Sequence, residues 1–257
     1  VTAVHPTAVV DPAAELGEDV EIGPYTVIGP DVVVGDRTRI GSHVNVQGPA
    51  TIGADCRIFF SSALGFPPQD LKYKGERTSL QLGDRNVVRE FVTLNRGTAA
   101  SGATRIGDGN LLMAYVHVAH DCTIGDGNVL ANAVTLAGHV TIEDFTVIGG
   151  LVPIHQFVRV GAYAFVGGAC RLMKDVPPYT KVAGEPPRLY GLNSVGLRRH
   201  NFDDDTLATL KHAHRLLCRS GLNTAQAVER IASELPGTPE VQRLLRFITE
   251  TKRGIVK

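Results

Sequence analysis

From Val4 onward every sixth residue of this chain is aliphatic: Val10, Leu16, Ile22, Ile28, Val34, Ile40, Val46, Ile52, Ile58 and Leu64 follow in turn. The ladder returns at Leu82, Val88 and Leu94, then runs unbroken from Ile106 to Leu172. Asp70, Glu76 and Ala100 interrupt it, each inside a segment that reads as loop. A helical repeat of 3.6 residues cannot produce this spacing, and neither can the two-residue alternation of an ordinary strand. A period of six belongs to a parallel β-helix, where each flat face takes six residues and three faces close a coil of about 18.

The rest of each hexad agrees. Glycine often follows the aliphatic residue (Gly17, Gly23, Gly29, Gly35, Gly41 and Gly53 among others), which predicts a tight corner needing φ > 0 or close backbone approach. Four residues after the aliphatic position the side chain is small or β-branched, as at Thr26, Thr38, Val44, Val116, Val134, Thr146 and Ala164. These two positions are expected to fill a narrow triangular core. Cys56, Cys122 and Cys170 share the small inward position, so they read as compact apolar fillers rather than metal ligands or disulfide halves. Cys218 stands alone in a helical stretch.

The pattern divides the chain into a β-helix over 1–178, a linker over 179–193 and a helical cap over 194–257. Two polar interruptions, 65–81 and 95–105, read as loops, and loops this long in a solenoid are usually functional or disordered. Lys72, Tyr73 and Lys74 favour a binding role for the first. In the cap, Asp203 to Asp205 are candidate helix caps before Leu207, Leu210 and Leu217, with Gly221 as the end. Asn223 with Gln226 forms a capping-box pattern for a helix stopping at Pro236. Thr238-Pro239 opens another, striped by Val241, Leu244, Leu245 and Ile248. Such a bundle would cover the open last coil, whose strand edges need protection.

Charge narrows the partners. Lysine plus arginine balance aspartate plus glutamate at 26 each, which argues against nucleic acid. No apolar run of about 18 residues suggests a membrane span, and Val1 to Pro6 already belong to the repeat. The expectation is a soluble, cytoplasmic protein without a cleaved targeting segment.

The candidate chemistry follows from counting in coils. His139 lies one coil plus one residue beyond His120, His155 two coils less one residue beyond it, and His117 three residues before it. All four of these histidines, out of nine in the chain, are therefore expected at one corner, with Gly138, Gln156 and Lys174 stacked over His120. Two chemistries compete there. A metal site needs neutral imidazoles converging at about 2.0–2.1 Å. General-base catalysis needs one histidine beside the hydroxyl it deprotonates, and His120 followed by Asp121 suits that role better.

Several segments resemble one family, the UDP-N-acetylglucosamine O-acyltransferases that begin lipid A biosynthesis. They are Asp70-Leu71-Lys72-Tyr73, Gly83-Asp84-Arg85-Asn86, His117-Val118-Ala119-His120-Asp121-Cys122, Leu136-Ala137-Gly138-His139 and His155-Gln156-Phe157, with Asp175-Val176-Pro177-Pro178-Tyr179 beyond them. The resemblance implies a homotrimer of left-handed helices with active sites between subunits, against the general right-handed preference of parallel crossovers. It implies that His120 is the general base toward the glucosamine 3-hydroxyl, which attacks a 3-hydroxyacyl thioester on acyl carrier protein. Asp121 would support His120, and the Gly138 N–H would stabilise the oxyanion. Asp70, Lys72, His117, His139, His155, Gln156, Asn193 and Arg199 would hold substrate, and Gly168 matches the position that limits the acyl groove. No cofactor or metal is implied. Arg171, Lys174, Lys181, Arg188, Arg198, Arg199, Lys211, Arg215 and Arg219 form a basic C-terminal set suited to steering an acidic carrier. Glu185-Pro186-Pro187, Val195 and His200 depart from the family pattern. The alternatives are an acetyl-coenzyme A-dependent hexapeptide acetyltransferase acting on a nucleotide sugar, a zinc hydratase and a purely structural solenoid.

Overall fold

A computed structural model describes residues 1–235 and 237–257. Pro236, the expected stop of one helix, lies outside the described residues, as does the Arg219 side chain. Short parallel strands stack into three sheets of 11, 8 and 8 strands, which are the three faces of a prism. The first face begins at Ala3–Val4, the second at Val9–Val10 and the third at Glu15–Leu16. Inside it the aliphatic ladder is buried: Ile52, Leu64, Leu94, Leu112, Leu130, Leu136 and Ile148 are all at 0% exposure. Each such side chain contributes about 1.5–3 kcal/mol relative to exposure. The small inward positions are equally closed, Cys56, Cys122 and Cys170 included.

The hexad glycine serves close approach, not positive φ. A β-carbon on Gly35 would lie 2.6 Å from Ala54 N, and one on Gly53 2.5 Å from the Gly83 carbonyl oxygen. Successive coils thus touch backbone to backbone at these corners. The left-handed conformation falls instead on the third residue after the aliphatic one, at Asp19, Tyr25, Asp31, Arg37, His43, Phe91, Tyr115, Asp121, His139 and Phe157 among others.

From Arg105 to Leu172 partners are 18 residues apart, as in Arg105↔Thr123 and His117↔Thr135, and the last coil is shorter, Phe165 pairing with Lys181. Lower down, Arg57 pairs with Val87 and Val87 with Leu111, steps of 30 and 24 that leave insertions of 12 and 6 residues. Both insertions are whole hexads, so the ladder keeps its phase across them. Strand trims the expected loops at both ends: the first runs over 67–78, between Ala63–Phe66 and Ser79–Leu82. The second runs over 96–102, between Thr93–Asn95 and Ala103–Ile106. Both leave the prism where the second face turns into the third.

The segment expected as a linker folds as an antiparallel hairpin, Thr180–Ala183 with Arg188–Leu192, added to the first face. Among the described residues four helices follow: α1 (Ser194–Arg199), α2 (Asp204–Arg219), α3 (Thr224–Glu234) and α4 (Pro239–Thr249). Asp203 caps α2, the Asn223–Gln226 capping box opens α3, and Thr238 caps α4. Their apolar stripes form a second core around Leu207, Leu210, Ile231, Val241 and Leu244. The chain then returns to the solenoid. Ile255 bridges Asp175, and Val256 joins the prism's own core as a plug for the last coil.

Candidate active site

The same corner that releases both loops carries the histidines. His117 opens a strand of the second face, and His120 sits two residues after Val118 where that face ends. His139 occupies the left-handed position one coil higher, and His155 follows the strand Pro153–Ile154. His117, His120 and His155 line one cleft of about 430 Å³ with Gln69, Gly138, Arg171, Leu172 and Met173. His139 faces the neighbouring cleft with Phe157 and Arg159, but its ring meets the His120 ring edge-on at 5.1 Å and stacks on Phe157 at 4.6 Å.

Gly138 makes room for the base. A β-carbon there would lie 2.4 Å from His120 Cε1 and 2.7 Å from its Nε2, so the imidazole rests directly over the glycine. Among the described residues no group accepts from the Gly138 N–H, while its carbonyl accepts from Phe157 N.

His120 Nδ1 is 2.8 Å from Asp121 Oδ2. Asp121 is buried at 6% exposure, and its carboxylate accepts from Thr98 N (2.9 Å), Thr98 Oγ1 (2.6 Å) and the Ser101 hydroxyl as well. Burial alone would raise its pKa. The hydrogen bonds from Ser101, Thr98 and His120 outweigh burial and hold the carboxyl well below the usual carboxylate range. An ionised Asp121 only accepts, so the Nδ1 proton must sit on His120 and the Nε2 lone pair is the free one. That nitrogen looks toward Asp70, whose Oδ2 lies 3.9 Å away across the cleft.

Other candidates sit as follows. The Lys72 N–H donates to Asp70 Oδ1 at 2.9 Å, and the Lys72 side chain is exposed. His117 shares a 2.7 Å hydrogen bond with Thr93 Oγ1, and burial lowers its pKa, which favours a neutral ring. His155 Nδ1 donates to the Gln156 carbonyl at 3.2 Å, and the Gln156 side chain is exposed. Asn193 and Arg199 are not at this corner: with Phe165 and Lys181 they line a cleft on the first face. The Asn193 amide caps α1 and donates to the Tyr163 carbonyl. Gly168 lies exposed past the first-face strand Phe165–Val166, on the turn toward the second face.

His120, Asp121 and His139 bring possible ligand atoms within 4.8 Å of one another. Their donor pattern is that of a hydrogen-bonded dyad. Both Asp121 oxygens already accept two hydrogen bonds each, so its lone pairs are engaged by His120 and the 96–102 loop.

Sequence reasoning missed Thr98 and Ser101. It also missed Arg96, which joins the two loops by reaching Tyr73 Oη at 3.2 Å and the Gly48 carbonyl at 2.7 Å. The signal was the polar character of the second interruption, which marks a functional loop without naming its partner.

A family model described as UDP N-acetylglucosamine O-acyltransferase, domain 2, matches residues 175–256, and one for bacterial transferase hexapeptides matches 13–48 and 103–138. The chain is 50% identical to the acyl-(acyl-carrier-protein)–UDP-N-acetylglucosamine O-acyltransferase of Thermodesulfovibrio yellowstonii, over 99% of each chain. It is 56% identical to the protein of that name from Chlorobaculum parvum, over 98% of this chain and 96% of the other. Among solved structures, a UDP-N-acetylglucosamine acyltransferase from Bacteroides fragilis superposes with a TM-score of 0.97 at 42% identity, covering 99% of this chain and all of that one. The coil is the expected left-handed β-helix with a C-terminal helical region.

Proposed function

The chain belongs to the acyl-(acyl-carrier-protein)–UDP-N-acetylglucosamine O-acyltransferases, and on that footing we propose how its residues divide the work. The reaction moves an acyl group from acyl carrier protein to UDP-N-acetylglucosamine, the first step of lipid A synthesis. In our reading His120 Nε2 takes the proton of the glucosamine 3-hydroxyl as that oxygen attacks the carbonyl of a 3-hydroxyacyl thioester. The tetrahedral intermediate places its oxyanion at the Gly138 N–H, and a donor of that kind is commonly worth about 2.7–4 kcal/mol. Collapse breaks the C–S bond, and the carrier thiolate leaves with the proton returned from His120. Asp121 keeps the imidazole in the required tautomer and stabilises the imidazolium.

The observation that carries this reading is the 2.8 Å His120–Asp121 contact with Nε2 left open to the cleft. Asp70 and Lys72 on the long loop, with His117, His139, His155 and Gln156 around the corner, supply contacts for sugar, diphosphate and acyl hydroxyl. Gly168 sets the acyl length. Asn193 and Arg199 reach the nucleotide from a second subunit: within one chain they belong to another face, and a trimer with sites between copies brings the two together. The basic residues of the C-terminal third receive the acidic carrier. We assign the enzyme to the cytoplasm, in keeping with its three buried thiols and with the lack, among the described residues, of any helix long and apolar enough to cross a membrane.

His120→Ala tests the assignment. Turnover should fall by at least about 100-fold while trimer mass and nucleotide binding persist. Turnover retained within a few-fold would remove the base from this residue. Acyl-carrier and coenzyme A donors assayed side by side separate this reaction from an acetyl transfer.

A further inference from the structure

The 96–102 loop touches the catalytic dyad but has no part in the chemistry above. We propose that Thr98 and Ser101 are positioning residues for the transfer, holding the Asp121 carboxylate against His120 Nδ1 and so aiming the base. The proposal deepens, and rests on, the assignment of His120 as that base.

Three observations carry it. Each Asp121 oxygen accepts two hydrogen bonds: Oδ1 from Thr98 N and Ser101 Oγ, Oδ2 from Thr98 Oγ1 and His120 Nδ1. Three of these four come from the loop, and the fourth is the catalytic contact. A carboxylate has about four lone-pair sites, so the set leaves no freedom to turn away from the imidazole. Asp121 is also fixed from below, where its own N–H donates to Thr104 Oγ1 at 2.9 Å. Finally, the carboxylate is buried and holds a left-handed backbone at φ 59, so it cannot obtain replacement donors from solvent.

The loop is suited to this use. Gly102 N donates to the Thr98 carbonyl at 2.8 Å and Ala100 N to Thr98 Oγ1 at 3.2 Å, which closes the segment into a compact turn around Thr98. The Ser101 hydroxyl has a single proton, shared between Asp121 Oδ1 and the Ala103 carbonyl, with the carboxylate nearer. Two further titratable groups face the dyad: His139 Nε2, 3.7 Å from Asp121 Oδ2 on the coil above, and Asp70, toward His120 from the long loop. Without the loop donors the carboxyl loses the interactions that keep it ionised. His120 then loses the charge that stabilises its imidazolium as the proton arrives.

The test uses the full-length enzyme in four forms: Thr98→Val/Ser101→Ala, Ser101→Ala, Thr98→Ser and His120→Ala. Kinetics run from pH 5 to 9 with acyl carrier donor and UDP-N-acetylglucosamine. The double variant should lose at least about tenfold in kcat, keep KM for the sugar nucleotide within about twofold, and move the acid limb of the profile to lower pH. Thr98→Ser, which retains the hydroxyl, should recover most of the rate. If the double variant does not fold, Ser101→Ala alone should lower kcat with the same displacement of the acid limb. Unchanged kcat, or a loss with the acid limb unmoved, overturns the positioning role. Activity surviving in His120→Ala would instead overturn the base assignment beneath it.

Discussion

At the scale of single residues, the site depends on an aspartate that stays ionised where burial would neutralise it. Its folded pKa is depressed relative to the unfolded value near 3.9, so its stabilising effect is present above that pH and lost as pH falls through the folded value. The melting temperature of the wild type should therefore exceed that of Asp121→Asn by a constant margin between pH 5 and 7. That margin should shrink below about pH 4. A margin that stays unchanged from pH 7 down to about pH 3 would show the carboxyl to be ordinary. Little of this was legible beforehand. His120-Asp121 is visible as a dipeptide, but Thr98 and Ser101 reach Asp121 from 23 and 20 residues away, across a loop whose path no periodicity records.

At the scale of elements, the corner is where hexad logic meets backbone geometry. The aliphatic ladder revealed the faces, the core and the stacking of His120, Gly138 and Gln156, because inward positions admit only apolar or small side chains. It did not reveal which corner residue is left-handed, since Tyr25, Arg37 and Phe91 have no intrinsic preference for that region. It marked the two insertions as breaks at Asp70, Glu76 and Ala100, but their 12 and 6 residues preserve the phase, so their true ends were not visible. The hairpin over 180–192 escaped notice because its Pro and Gly read as linker punctuation. The glycine contacts lead to a definite expectation. Gly35→Ala would force a methyl carbon against the backbone of the next coil, and should cost about 1–3 kcal/mol by urea unfolding with the circular dichroism of the native state retained. A neutral result would mean that adjacent coils separate freely.

At the scale of the molecule, the histidine corner and the Asn193–Arg199 cleft occupy different faces of one prism. If each site is built from two copies, mixing inactive His120→Ala with impaired Arg199→Ala, unfolded and refolded together, should restore activity, because mixed trimers contain some sites with both residues intact. Pure populations treated alike should stay low. Recovery no greater than their average would place both residues in one subunit's site. Architecture also separates labour along the prism axis. Every candidate site residue lies at or beyond Gln69, above a stack of coils that begins at Ala3. Stability in such a stack is close to a sum over neighbouring layers. The lower coils therefore act as a plinth, whose height can grow or shrink by whole storeys while the reaction chamber above keeps its shape.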